Sequence, residues 1–222
     1  MPSNDEFRLF AHRGDNRNFT ENTLAAFQSS VKAGFLAMEL DLVRLRDGNV
    51  VVFHDDDLNR ICGIDRSVYE IPLDDFKNAF PDLLTAEEFV LHFKDLDLEI
   101  NLEIKDDIKT LETILPLTKK LRKPLISSFN SDVVDEAVEK GLPSAYLFSN
   151  LYSFLKRKLF LKNRRLHISS RMVLKNPLSR LFFRHYQVYC YTVNDPEEVK
   201  RLRAYPFIKG IFTDRVEMIM EV

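Results

Sequence analysis

Between Leu98 and Thr213 the chain alternates short apolar runs with longer stretches of helical spacing, a rhythm few folds accept. Residues 98–104, 125–129, 144–148, 166–169, 188–193 and 209–213 read as strands. Residues 108–121, 132–140, 151–161, 178–185 and 196–204 read as the helices between and after them, with Pro196 suited to a first helical turn. Upstream, 7–12 reads as a buried first strand. Residues 22–33 read as a helix with Asn22 as its N-cap and Gly34 just past its end, and 35–45 as a second strand. Asp47-Gly48 then signals a hairpin, so 49–53 must run back antiparallel, because a two-residue turn is too short for a parallel crossover. Of nine strand candidates, setting this one aside leaves eight, most of them followed by a helix. That is the arithmetic of an α/β TIM (β/α)8 barrel carrying a β-hairpin extension after strand 2. A doubly wound open sheet would need a Gly-rich phosphate loop, and the sequence has none.

The 222 residues suit one such barrel, so residues 1–222 are expected to form a single domain. Residues 55–95 lack a clean period and read as a connecting, reduced cap segment with short helices near 73–79 and 85–93; 216–221 suit a closing helix. The net charge of -2 excludes little, but its distribution is uneven: residues 140–194 contain eleven Lys or Arg and no Asp or Glu. Within 150–185, Lys156, Arg157, Lys158, Arg164 and Arg165 interleave with Phe154, Leu155, Phe160, Phe182 and Phe183. Such a mixture suits either the basic rim of an outer helix layer or weak contact with an anionic membrane surface. No nucleic-acid motif accompanies it. Cys62 and Cys190 lack metal-ligand spacing and read as free thiols of a reducing compartment. Residues 1–6 are polar and acidic, unlike a signal peptide, and no apolar run reaches membrane-spanning length, so the expected location is cytoplasmic.

The chemistry gathers at strand ends. Glu39 and Asp41 are two apart on a strand and so share a face, while Leu40 and Leu42 face the outer helices. Two adjacent carboxylates repel, and a divalent cation resolves the conflict. With Glu103 as a third ligand the site is all oxygen, suited to Mg2+ or Ca2+ more than Zn2+. His12 and His54, both at strand ends, are the proton-transfer candidates, because imidazole titrates near neutral pH. His92, His167 and His185 read as surface or packing residues. Arg13 and Lys105 offer fixed positive charge, either to neutralise the three carboxylates or to grip a phosphate, and both uses can hold at once. Together these groups are what a metal-assisted attack on a phosphate ester requires.

The runs Ala11-His12-Arg13-Gly14, Glu21-Asn22-Thr23, Glu39-Leu40-Asp41, Asp47-Gly48, Val51-Val52-Phe53-His54-Asp55 and Leu58-Asn59-Arg60 extend the pattern. It continues with Leu102-Glu103-Ile104-Lys105, Ser127-Ser128-Phe129, Tyr191-Thr192-Val193-Asn194 and Gly210-Ile211-Phe212-Thr213-Asp214. In this order and from end to end, the chain resembles the glycerophosphodiester phosphodiesterase family. The resemblance implies a TIM barrel whose site lies at the C-terminal strand ends. It implies metal-dependent hydrolysis of glycerophosphodiesters to glycerol 3-phosphate and an alcohol. It would assign Glu39, Asp41 and Glu103 to the metal, His12 and His54 to acid–base work, and Arg13 and Lys105 to phosphate. Tyr191 stands where the family often has tryptophan, which implies a wall for the glycerol portion. Thr20 replaces a usual proline and Arg46 a common threonine. The stretch 61–84 is shorter than the family's cap, which implies a more open mouth. A lysophospholipase D-type activity on lipids and a non-catalytic phosphoester-binding barrel are the competing readings.

Overall fold

The computed structural model describes residues 7–221; the polar, acidic stretch read at 1–6 lies outside them. The strands are β1 (Arg8–His12), β2 (Ala37–Arg44), β3 (Val50–Val52), β4 (Glu99–Ile104), β5 (Lys123–Ser128), β6 (Ser144–Phe148), β7 (Arg165–Ser169), β8 (Gln187–Tyr191) and β9 (Ile208–Thr213). Eight of them pair in parallel around a closed ring, β1-β2-β4-β5-β6-β7-β8-β9 and back to β1. The ninth, β3, pairs antiparallel on the outer part of β2, with Val43 opposite Val51, as the Asp47-Gly48 turn demands. The fold is therefore a TIM barrel with a hairpin extension.

Helices α1 (Leu24–Lys32), α2 (Asn59–Cys62), α3 (Leu73–Ala79), α4 (Ala86–Phe93), α5 (Ile108–Thr118), α6 (Ser131–Glu139) and α7 (Leu151–Arg157) surround the first part of the ring. They are followed by α8 (Ser170–Leu174), α9 (Ser179–Phe183), α10 (Pro196–Arg203) and α11 (Met218–Glu221). Side-chain caps set several starts: Thr85 and Glu88 form a reciprocal capping box on α4, and Asp195 caps α10 just before Pro196. The first helix departs from expectation. Thr23, not Asn22, is its N-cap, because Asn22 adopts a left-handed φ of 59° and turns its amide into the barrel mouth. The expected helix over 178–185 is likewise only the second of two short helices, α8 and α9, separated around Pro177.

Alternation along the strands sorts the side chains. Leu40 and Leu42 of β2 join Phe27, Phe89 and Ile114 in the layer between sheet and helices. On the far side Leu166, Ile168, Val188 and Ile211 do the same with Phe154 and Phe183. Inside the ring Phe10, Ala37, Leu125, Ala145, Tyr189 and Phe212 form an apolar plug, with Phe10 stacked on Phe212 at 4.7 Å. Below the plug, toward the strand starts, Glu99 accepts a hydrogen bond from Arg165 at 2.7 Å. Above it the inward positions become polar: His12, Glu39, Asp41, Asn101, Glu103, His167 and Tyr191. Both cysteines are free. Among the described residues no helix is long and apolar enough to cross a membrane.

Candidate active site

The mouth is built at the C-terminal ends of β1, β2 and β4, where pairing register sets the neighbours. His12 lies opposite Glu39, and Asp41 opposite Glu103. The three carboxylates consequently crowd together, each offering an oxygen within 4.8 Å of the others. Glu39 and Asp41 are 1 % exposed. Burial and the neighbouring carboxylates of Asp41 and Glu103 push the Glu39 carboxyl well above its ordinary pKa. Burial and Asp41 raise Glu103 as well. Burial acts in the same direction on Asp41, but the positive charges of Arg13 and Lys105 and the Asn22 amide outweigh it and hold Asp41 low.

Arg13 and Lys105 reach this cluster at different oxygens of Asp41. Arg13 Nε is 3.1 Å from Asp41 Oδ2, and its Nη1 donates to Glu21 Oε1 at 3.0 Å. Lys105 Nζ donates to Glu103 Oε1 at 3.0 Å and lies 3.5 Å from Asp41 Oδ1. Arg13 also has a left-handed φ of 59°, which aims its backbone N–H at Glu39 Oε2, 3.0 Å away. The next residue must be glycine: Gly14 has φ 78°, and a Cβ there would lie 2.7 Å from the Ala26 carbonyl carbon. Asn22, also left-handed, donates to Asp41 Oδ2 at 3.0 Å. After these contacts one buried carboxylate oxygen, Glu39 Oε1, still has no partner. An orphaned carboxyl oxygen amid three converging acids is what a hard divalent cation satisfies, so Glu39, Asp41 and Glu103 fit such an ion.

His12 and His54 flank the cluster in similar harnesses. His12 Nδ1 is 2.7 Å from Asp214 Oδ1, and Asp214 also accepts from Asn16 at 2.6 Å and Asn194 at 2.7 Å. Although burial raises Asp214, these bonds and the imidazole hold its carboxyl far below the usual range. With Nδ1–H donated to Asp214, His12 presents Nε2 to the mouth, 4.0 Å from Glu39 Oε2. His54 Nδ1 is 2.6 Å from Asp55 Oδ1. Burial works against the Asp55 carboxylate, but Arg60 and His54 bring its pKa down to about 2. Arg60 then donates to Asp55 at 2.6 Å and to Glu21 at 2.7 Å, tying the backing of His54 to the backing of Arg13.

A cavity of about 170 Å3 opens among these groups and is walled further by Asn101, Phe129, Leu147, His167, Tyr191 and Phe212. All eight predicted site residues are thus at one mouth, with Asp41 paired to the lining residues Arg13 and Lys105, and Tyr191 meeting Phe129 edge-on at 6.2 Å. His92 and His185 are exposed elsewhere, as expected. His167 packs, but it also lines the cavity; burial pushes its pKa well down, and neither ring nitrogen has a partner. Sequence reading missed Asp214, Asn16, Asn194, Glu21, Asn22 and Arg60 as parts of the mouth. All of them but Asn16 had a signal, since they lie within the runs that carry the family resemblance. None of the Lys or Arg side chains of 150–185 lines the cavity.

Comparison with known proteins bears on the same residues. A family model described as the glycerophosphoryl diester phosphodiesterase family matches residues 12–218. A Bacillus altitudinis protein named glycerophosphodiester phosphodiesterase is 26% identical, over 93% of this chain and 94% of its own length. The crystal structure of a Thermotoga maritima glycerophosphodiester phosphodiesterase superposes with a TM-score of 0.85 at 29% identity, covering 97% of this chain and 98% of that one. An Oleispira antarctica phosphodiesterase, solved with its product sn-glycerol-3-phosphate, shares the fold with a TM-score of 0.84 at 24% identity, covering 96% and 95%.

Proposed function

This chain belongs to the glycerophosphoryl diester phosphodiesterase family, and from that premise we propose that it hydrolyses water-soluble glycerophosphodiesters to glycerol 3-phosphate and an alcohol, with His12 and His54 as its proton-transfer pair. The observation that carries the reading is the pair of imidazoles, each tethered through Nδ1 to a carboxylate, flanking one cluster of three acids. In each neutral ring the tethered nitrogen is the donor, which leaves Nε2 as the basic atom facing substrate.

Glu39, Asp41 and Glu103 would hold a divalent cation, which would supply charge neutralisation and Lewis acidity at the phosphate. Arg13 and Lys105 hold the remaining phosphate oxygens and favour the charge that grows on them during displacement. Both cations are already paired with carboxylates, so substrate takes over part of an existing network and meets groups that need little reorganisation. One imidazole Nε2 accepts the proton of the attacking oxygen, which is either water, giving glycerol 3-phosphate directly, or the adjacent glycerol hydroxyl, giving a cyclic phosphate that water then opens. The other, protonated, gives its proton to the departing alkoxide oxygen, so the ring pair returns to its starting proton count over the cycle. Asp214 and Asp55 keep both rings in the required tautomer and orientation. Tyr191 and Phe129 form the apolar wall against which the glycerol carbons rest, and Asn101 and His167 at the cavity floor present polar atoms to its hydroxyls.

The test is a product assay across a panel of deacylated phospholipids, with lysophosphatidylcholine alongside and with divalent ions added or chelated. Glycerol 3-phosphate release from glycerophosphocholine or glycerophosphoethanolamine, outpacing head-group release from the lysolipid, is the expected result. Release from the lysolipid alone would favour a lipid substrate, and no release from any of them a binding role only.

A further inference from the structure

We propose that the pole of the barrel opposite the mouth is a docking surface for an anionic lipid bilayer. Two grooves of about 820 and 690 Å3 open there and share Arg164, Leu181, His185 and Tyr186, so they form one continuous surface. Topology fixes its place. Arg164 immediately precedes β7, Gln187 begins β8 and Phe207 immediately precedes β9, whereas His12 and Tyr191 end their strands.

The surface carries charge that the described residues leave largely unmatched. Of the eleven cations in residues 140–194, Lys140, Arg157, Lys162 and Arg165 are paired with carboxylates from other parts of the chain. Lys158, Arg164, Arg180 and Arg184 have no carboxylate partner among the described residues, and no Asp or Glu lines either groove. Lys158 and Arg180 instead lie over the rings of Phe182 and Tyr205, at 5.7 and 5.1 Å. Beside these cations stand apolar side chains in water: Leu159 is 83%, Phe160 66% and Leu181 57% exposed.

Charge and apolar exposure together select the occupant. A dissolved polyanion would match the cations but leave Leu159 and Phe160 in water. A bilayer with acidic head groups satisfies both, cations at the phosphates and side chains at the acyl boundary. Docked this way the mouth faces away from the lipid, so the bound protein draws its substrate from solution and cannot reach a lysolipid in the same leaflet. The docking itself does not depend on catalysis.

Vesicle co-sedimentation and single-tryptophan fluorescence test the proposal, and the chain, having no tryptophan, is suited to the second. Expected are co-sedimentation with equimolar phosphatidylglycerol–phosphatidylcholine vesicles at low salt, weakening at physiological salt, and none with phosphatidylcholine alone. Each cation removed costs about fivefold in partitioning, so the double variant Arg164→Ala, Arg184→Ala should bind at least tenfold more weakly. Leu159→Ser with Phe160→Ser should weaken binding too, and both double variants should keep parental turnover and melting temperature. A tryptophan at Leu159→Trp should shift to the blue on anionic vesicles, and one at the mouth, Phe129→Trp, should not. No binding at low salt, a shift at 129 in place of 159, or binding that is indifferent to the apolar pair and abolished equally by polyphosphate would overturn it; the last would mark a polyanion site.

Discussion

His12 and His54 each have one nitrogen spoken for, and this asymmetry makes them useful. Asp214 and Asp55 hold the rings through Nδ1, which leaves one basic nitrogen per ring aimed inward. Removing either imidazole, as His12→Ala or His54→Ala, should lower kcat by about 10²–10⁴-fold with the melting temperature little changed. Asp214→Asn should keep a hydrogen bond but lose the carboxylate that fixes the His12 ring through Nδ1, so kcat should fall with KM and melting temperature little changed, where a purely structural loss would lower the melting temperature as well. Glu39 makes a different case. Its folded pKa lies well above the ordinary 4.5, so the folded chain binds a proton there that the unfolded chain has released. Stability is therefore lost as pH rises above 4.5. Glu39→Gln removes that penalty. In chelator at neutral pH the variant should melt higher than the parent while its turnover collapses, and a lower melting temperature would show that the carboxylate cluster is not strained as described. The strand-end placement of these side chains was legible in the sequence, because period-two alternation puts Glu39 and Asp41 on one face and Leu40 and Leu42 on the other. Their backing was not. Asp214 lies 202 positions from His12, and Glu21 lies 39 from Arg60.

The elements themselves followed local rules wherever the mouth made no competing demand. The β3 hairpin, α10 and β6 sit where turn chemistry and periodicity put them. The first helix starts one residue late because Asn22 serves Asp41, and Thr23 takes over the cap. Helix α8 escaped sequence reading because Ser169 passes from strand to helix with no Gly or Pro to mark the change. Two substitutions probe how α1 is held. Phe27 is fully buried, with its ring 5.0 Å from Phe89 and 6.1 Å from Phe93. Phe27→Ala should cost about 3–5 kcal/mol in denaturant unfolding; a loss below 1 kcal/mol would mean that α1 and α4 do not share that core. Gly14→Ala pushes a methyl group into the Ala26 backbone at a positive φ, so the Arg13 turn must shift. A large fall in turnover is expected, and an unaffected rate would contradict the role given to that turn.

At the scale of the whole molecule, ring closure is what turns scattered strand ends into one mouth. The β1–β9 pairing carries Asp214 behind His12, and the β2–β4 pairing sets Asp41 beside Glu103. Eight parallel strands were countable in the sequence, since one candidate had to be the antiparallel arm of a hairpin. Which outer helices would be long, and which polar residues would face each other across the ring, depend on packing that no local pattern encodes. Closure also separates two chemistries: the acidic cluster at one pole and the unmatched cations at the other. The most direct test of the proposed chemistry is the rate at which metal-stripped protein releases glycerol 3-phosphate from glycerophosphocholine, before and after Mg2+ or Ca2+ is returned. Loss on stripping and recovery on readdition, with no recovery in Glu39→Gln or Asp41→Asn, is the predicted result; undiminished release by the verified metal-free chain would contradict it.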